Sequence, residues 1–276
     1  MTFARDRRQN AKMVFVLGDV HGDFSELNNF INKKIRLNRT LSDFAEIRSE
    51  DGLGFEVVIL QCGDFAYFWP RFDSSGKIKN EVSWLPGGRV PLYWTGGNHE
   101  DWDRLDSLLP PDRSGTGGRI REIDAGIYYC GFGAALSLSP GVTVLFAGGA
   151  ESSDKMYRLR KMAEGYPKIW WKQEGISEAD MALLDTVSRA DWVVSHTAPA
   201  AFTPGMKLSG FNVFTGDQFY EPSREFLDEI LWKYHPKRWF FGHYHRFMKG
   251  ETDGCQWEAL SELRGDGPWD KIGLEY

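Results

Sequence analysis

MVFVLGDVHG, residues 13–22, is the segment that best predicts how this chain is built. Its first five residues form a continuous apolar run with β-branched side chains, which is typical of a strand buried on both faces. Asp19 and His21 follow directly after a glycine. If the chain is still extended there, the two side chains project from the same side and can bind one metal ion. Taken alone, an Asp after a buried strand is more often a turn residue or a helix N-cap.

The same construction recurs four times along the chain. An apolar, β-like run ends in Gly or Ser and is followed at once by Asp, Asn or His. The four runs are residues 57–62 before Gly63-Asp64, 90–95 before Gly96-Gly97-Asn98-His99-Glu100, 192–195 before His196, and 238–241 before Gly242-His243-Tyr244-His245. Five of the six histidines lie at these predicted strand ends, and the sixth is His235. Because ligands bind at the carboxyl ends of strands in open α/β sheets, the pattern predicts one shared site.

The order and spacing of these five motifs resemble those of the calcineurin-like metallophosphoesterase superfamily, and the resemblance extends from Gly18 to His245. It implies an α/β fold, a four-layer α/β/β/α sandwich of two mixed sheets flanked by helices. It also implies two divalent ions and one catalytic histidine. One ion would be held by Asp19, His21 and His245 and the other by Asn98, His196 and His243, with Asp64 bridging them and His99 as the catalytic residue.

Ligands of the Asp, Asn and His types suit Mn²⁺ foremost, and also Fe²⁺ or Zn²⁺, better than Ca²⁺. The resemblance implies hydrolysis of a phosphate ester by in-line attack of a hydroxide that bridges the two ions, without a phosphorylated residue. His99 would stabilise developing charge or protonate the leaving oxygen. We expect a phosphodiester or nucleotide-type substrate. The alternatives are a phosphomonoester or a phosphoprotein, and a scaffold that keeps the fold without catalysis.

The chain departs from the protein Ser/Thr phosphatases of the superfamily beside the bridging Asp. Those enzymes carry an Asp and an Arg three and four residues after it, where this chain has Tyr67 and Phe68. They also carry an Arg just before the Gly-Asn-His-Glu motif, where this chain has Gly96 or Gly97. The departure disfavours a phosphoprotein substrate. The segment 65–69, with four aromatic residues, is either a lip on which a base stacks or a packed hydrophobic loop.

Two further segments are candidates for substrate contact. Lys155, Arg158 and Arg160 follow a Gly-Gly strand end and precede Trp170-Trp171, which suits a phosphate with an attached organic group. The same cations are equally typical of a solvated helix face. Residues 199–222 are predicted to form a long, lid-like loop.

Composition bounds the remaining possibilities. The 276 residues and 31.5 kDa fit a single domain, residues 1–276, because the predicted ligands span most of the chain. The net charge of −6 disfavours broad adhesion to nucleic acid or anionic membrane, while a local Arg cluster leaves a nucleotide or nucleic-acid substrate open. Three scattered cysteines favour a reducing, cytoplasmic setting. The sequence has no apolar run long enough to span a membrane and no feature that identifies a protein partner.

Overall fold

The computed structural model describes residues 12–31, 56–70, 91–109, 119–139, 142–202, 220–263 and 270–274. The strands are β1 (Lys12–Leu17), β2 (Glu56–Gln61), β3 (Leu92–Trp94), β4 (Ile120–Asp124), β5 (Ile127–Cys130), β6 (Ala134–Ser139), β7 (Val142–Ala147), β8 (Trp192–Ser195), β9 (Arg238–Phe241), β10 (Met248–Thr252), β11 (Cys255–Ala259) and β12 (Asp270–Leu274). The α-helices are α1 (Phe24–Phe30), α2 (Trp102–Leu108), α3 (Lys155–Ala163), α4 (Glu178–Ala182) and α5 (Ser223–Tyr234). Short 3₁₀ helices cover Lys172–Glu174, Leu183–Thr186 and Ala200–Phe202.

The strands within the described ranges form two six-stranded mixed sheets of matching design. The first has the order β12-β1-β2-β3-β5-β4 and the second the order β10-β11-β9-β8-β7-β6. In each sheet four central strands are parallel and the strand at either edge is antiparallel. Parallel neighbours end at the same edge of a sheet, so the segments that follow β1, β2 and β3 lie together, as do those that follow β8 and β9.

Among the described residues, side chains that alternate along the strands divide the core into three apolar clusters. Phe15 and Leu17 of β1 pack with residues of α1 and α2, whereas Val14 and Val16 face the second sheet and share a cluster with Val144 and its neighbours. The outer face of the second sheet packs against α5. The three clusters separate helix, sheet, sheet and helix, so the predicted four-layer sandwich is confirmed.

Side chains at their N-termini cap two of the helices. The Asp23 side chain accepts a hydrogen bond from the backbone N–H of Glu26 and caps α1. Ser177 and Asp180 form the capping box of α4, and α5 runs from Ser223 to Tyr234. The predicted loop at 199–222 lies outside the described residues between 203 and 219. Within the described ranges, no helix combines the length and the apolar character needed to cross a membrane.

Candidate metal centre

The polar motifs lie just beyond the strand ends, in tight turns. β1 ends at Leu17 and β9 at Phe241. The backbone φ angles of three residues are positive: 47° at His21, 68° at His243 and 51° at His245. These values lie in the left-handed region, which residues other than Gly rarely adopt. The expectation that Asp19 and His21 project from extended chain is therefore wrong, because a turn brings them together. Backbone strain of this kind is concentrated at functional sites.

The first predicted ligand group is assembled around Asp19. Nε2 of His245 lies 3.1 Å from Oδ2 of Asp19, and Nε2 of His21 lies 3.1 Å from Nε2 of His245. Nε2 of His21 is also 3.7 Å from Oδ2 of Asp19. One carboxylate oxygen and two imidazole nitrogens thus converge, as the ligand atoms of a single ion do.

The second predicted group converges on the side-chain oxygen of Asn98. Oδ1 of Asn98 is 3.0 Å from Nε2 of His196 and 3.0 Å from Nδ1 of His243. The amide nitrogen of Asn98 donates to Oγ of Ser152 at 3.3 Å. Ser152 in turn donates its hydroxyl and its backbone N–H to the buried carboxylate of Glu174, each at 2.8 Å. These successive hydrogen bonds fix the orientation of the Asn98 amide, so that its oxygen faces the two histidines.

Asp64 lies between the two groups. Its Oδ2 is 3.7 Å from Nδ1 of His21, and its Oδ1 is 3.3 Å from Nε2 of His196. A Cβ on Gly97 would lie 2.2 Å from Oδ1, so a side chain there would displace the carboxylate. Although burial raises the pKa of Asp64, His196 and His99 outweigh it and hold the pKa well below its usual range.

Buried charges in the cluster depend on one another. Burial lowers the pKa of His196, but the Asp64 carboxylate outweighs it and raises the pKa to about 10. Burial and the neighbouring His196 lower the pKa of His243 to about 3. Asp19 and Asp64 therefore require positive charge at this point, which a protonated His196 or a divalent ion can supply. The donor types, their spacing and this charge balance all fit divalent metal.

Three histidines of the cluster contact a group outside the predicted ligand set through the other ring nitrogen. Nδ1 of His196 lies 2.8 Å from the backbone carbonyl oxygen of Cys62. Nε2 of His243 is 3.4 Å from the buried carboxylate of Glu221, and Nδ1 of His245 is 3.6 Å from Glu262. Metal-binding histidines usually have such a partner, which orients the ring. No motif in the sequence identifies Glu221, Glu262 or Glu174 as part of the site.

His99 is placed at the open side of the cluster, with its side chain 32% exposed. Its backbone N–H and its Nδ1 each lie 2.7 Å from an oxygen of Asp64. Nε2 of His99 lies 2.8 Å from Nη2 of Arg158, and the Trp69 ring packs edge-to-face against the imidazole at 5.2 Å. His99 therefore contacts the cluster through one nitrogen and points the other away from it.

The three candidate cations differ in position. Arg158 is buried and reaches His99. The ammonium of Lys155 lies 4.4 Å from the ring centre of Trp170, and Arg160 is exposed.

The aromatic residues after Asp64 also differ in whether they are packed in the protein or lie beside the site. Phe65 is fully buried in the core, and Tyr67 donates a 3.2 Å hydrogen bond to Asp124. The Phe68 ring lies 4.5 Å from the guanidinium of Arg104. Trp69 remains beside the site. Of the predicted lip, only Trp69 lies where it could contact a substrate. Phe65, Tyr67 and Phe68 fit the alternative of a packed hydrophobic loop.

The fold and the donor set define a metal-binding α/β protein with its site at the strand ends of two facing sheets. The chain belongs to the calcineurin-like phosphoesterase family, whose model matches residues 13–247. The superfamily suspected from the sequence is confirmed, and membership together with the Asp and His cluster supports a metal-dependent phosphoesterase.

Among solved structures, the chain is similar to GAP50, the anchor in the inner membrane complex of Plasmodium, with 10% identity, a TM-score of 0.45, and coverage of 97% of this chain and 76% of that chain. It is also similar to the phosphopantetheinyl hydrolase of Mycobacterium tuberculosis, with 12% identity, a TM-score of 0.37, and coverage of 95% and 96%. No match is found among curated proteins.

Proposed function

We propose that the protein is a dinuclear metal phosphoesterase. Asp19, His21 and His245 would hold one divalent ion and Asn98, His196 and His243 the other, with Asp64 shared. The observation that carries this proposal is the position of the Asp64 carboxylate, within 3.7 Å of a histidine of each group. When bound, two such ions activate the attacking water and neutralise charge on the phosphate. We expect Mn²⁺ to be the most effective ion, with Fe²⁺ and Zn²⁺ as alternatives.

His99 is the proposed catalytic residue. Its hydrogen bonds to Asp64 hold the ring so that Nε2 points away from the ligand cluster. When substrate has displaced Arg158 from Nε2 and this nitrogen carries a proton, it is placed to stabilise charge on the leaving oxygen, or to deliver the proton to it, as the bond between phosphorus and that oxygen breaks. The water supplies the new oxygen on phosphorus, and the leaving group departs as an alcohol.

A phosphodiester or nucleotide-type substrate is favoured by the surroundings of His99. The partly exposed ring of Trp69 lies 5.2 Å from the imidazole and 5.7 Å from the ring of Trp171. An aromatic side chain beside the leaving-group position suits a flat base. Lys155 and Arg160 remain predicted contacts to more distant parts of the substrate.

The three cysteines of the chain are free and buried, which supports the expectation of a reducing, cytoplasmic setting.

Two other functions are tested by the same assay. A phosphomonoesterase or protein phosphatase would prefer p-nitrophenyl phosphate or a phosphopeptide over bis(p-nitrophenyl) phosphate. A scaffold without catalysis would hydrolyse neither ester. The scaffold is disfavoured because every predicted ligand is present and a scaffold does not need a complete set.

The experiment measures release of p-nitrophenol from both esters with Mn²⁺, Fe²⁺ or Zn²⁺ added to metal-stripped protein. We expect metal-dependent turnover that Asp64→Asn abolishes, with the diester preferred. Asp185→Asn is the matched control, because this aspartate is 84% exposed and contacts none of the site residues described above. Stoichiometric metal binding without hydrolysis of either ester would contradict the proposal and favour the scaffold.

A further inference from the structure

Arg158 is a charged side chain buried beside the proposed catalytic histidine. It lies on α3 and is 2% exposed. Nε pairs with Oδ1 of Asp154 at 2.7 Å, Nη1 donates to the backbone carbonyl of Asn98 at 2.7 Å, and Nη2 donates to Nε2 of His99 at 2.8 Å. Burying a cation is costly unless it is paired and hydrogen-bonded. The fold meets that requirement with contacts that direct the guanidinium at His99.

The contact between Arg158 and His99 joins a cation to a weak acceptor. A guanidinium is always protonated, so Nε2 of His99 accepts the hydrogen bond. A phosphate oxygen is a better acceptor, because the bond is then charge-assisted from both sides. The contacts of the guanidinium with Asp154, Asn98 and His99 use three of its five N–H groups. A substrate oxygen can therefore replace His99 as acceptor while Asp154 and Asn98 keep the guanidinium in place.

We propose that Arg158 binds a phosphate oxygen of the substrate at the Nε2 edge of His99, held there by Asp154 and the Asn98 carbonyl. The assignment rests on the phosphoesterase function proposed above. Arg158 would then supply from α3 the cation that the protein Ser/Thr phosphatases carry at the position of Phe68. The Trp69 ring, centred 5.4 Å from Cζ, packs against the guanidinium and restricts its movement.

The test uses inorganic phosphate as the probe and measures its dissociation constant calorimetrically on Mn²⁺-loaded protein. Arg158→Ala removes the guanidinium, and we expect phosphate to bind about 10- to 100-fold more weakly. Arg158→Lys keeps the charge without the planar fork and should show a smaller loss. Metal content should stay at the wild-type level, since Arg158 is not a ligand. Lys161→Ala is the matched control. Lys161 follows Arg158 by three residues on α3, and its ammonium pairs with Glu164 at 2.8 Å.

Asp154→Asn keeps the guanidinium and removes its anchor, so it serves where Arg158→Ala does not fold. We expect phosphate affinity to fall about threefold to tenfold in this variant. Wild-type phosphate affinity in Arg158→Lys and Asp154→Asn would overturn the assignment. A loss of phosphate affinity in Lys161→Ala as large as that in Arg158→Ala would overturn it too. With metal-dependent hydrolysis by the wild type intact, that result contradicts only the role of Arg158. Absence of metal-dependent hydrolysis in the wild type contradicts the proposed function itself.

Discussion

Asp64 and His99 are joined by two hydrogen bonds of 2.7 Å, from the backbone N–H to Oδ1 and from Nδ1 to Oδ2. The same carboxylate lies between the two groups of predicted metal ligands. The side chain that would bridge two ions thus also sets the orientation of the proposed catalytic ring. Metal binding and catalysis can nevertheless be separated experimentally, because the His99 side chain is replaceable while its backbone N–H remains.

His99→Asn is expected to keep metal and lose turnover. The backbone hydrogen bond to Asp64 is preserved, but no imidazole nitrogen is left to assist the leaving oxygen, which costs roughly 10²- to 10⁴-fold in kcat. Metal content by atomic emission and kcat on bis(p-nitrophenyl) phosphate measure the two effects. Loss of metal in proportion to activity would mean that His99 is a ligand.

Asp64→Asn is expected to lose metal. The amide has the shape of the carboxylate but removes the charge that both ligand groups adjoin. The fall in affinity should exceed the 10- to 100-fold that loss of a partner outside the ligand set typically costs. Titration of stripped protein with Mn²⁺ measures it, with circular dichroism as the check on folding. Two ions bound at wild-type affinity would exclude Asp64 as the shared ligand.

The sequence was sufficient to predict which side chains come together at the strand ends, but not what surrounds them. Asp64 and His196 follow strand ends, and strand ends in parallel sheets converge whatever the connecting segments do. The choice among Lys155, Arg158 and Arg160 depends on which face of α3 packs on the sheets. The apolar residues of α3 do not indicate which face is buried, because Arg158 is the one buried residue described on that helix. The approach of Glu221 to His243 is a tertiary contact between distant segments, which no local pattern encodes.

Glu221→Gln is expected to weaken metal binding about 10- to 100-fold. The Glu221 carboxylate is 8% exposed and lies 3.4 Å from Nε2 of His243, where it can orient the ring and increase the basicity of Nδ1. Glu229→Gln, at an exposed position of α5, is the control. Mn²⁺ affinity is measured for both variants. Equal affinities in the two would assign Glu221 a purely structural role.

Trp69→Leu is expected to raise KM for a diester with a nucleoside leaving group by about tenfold, in line with the energy of base stacking. A diester with a small alkyl leaving group has no ring to stack and should keep its KM. Trp69→Phe retains a platform and should recover most of the loss. Equal increases for both substrates would show that Trp69 supports the site without contacting the leaving group.

Glu174 makes the stability of the protein depend on pH. It is 3% exposed and accepts hydrogen bonds from Ser152 and from Nε1 of Trp170, at 2.8 Å. Burial raises the pKa of Glu174 from 4.5 to about 7, although these hydrogen bonds oppose the shift. The folded protein therefore holds this proton more tightly than the unfolded chain does.

Because the folded pKa is the higher one, the stabilisation is fully present below pH 4.5 and is lost as pH rises toward about 7. The loss assigned to this group is on the order of 3 kcal/mol. In Glu174→Gln no proton is exchanged at this position, so the free energy of unfolding should fall less between pH 5 and pH 8 than in the wild type. Urea unfolding at several pH values measures the difference, with Glu229→Gln as the control. Parallel curves for Glu174→Gln and the wild type would show that Glu174 keeps an ordinary pKa, and that the network from Glu174 through Ser152 to Asn98 carries a fixed charge.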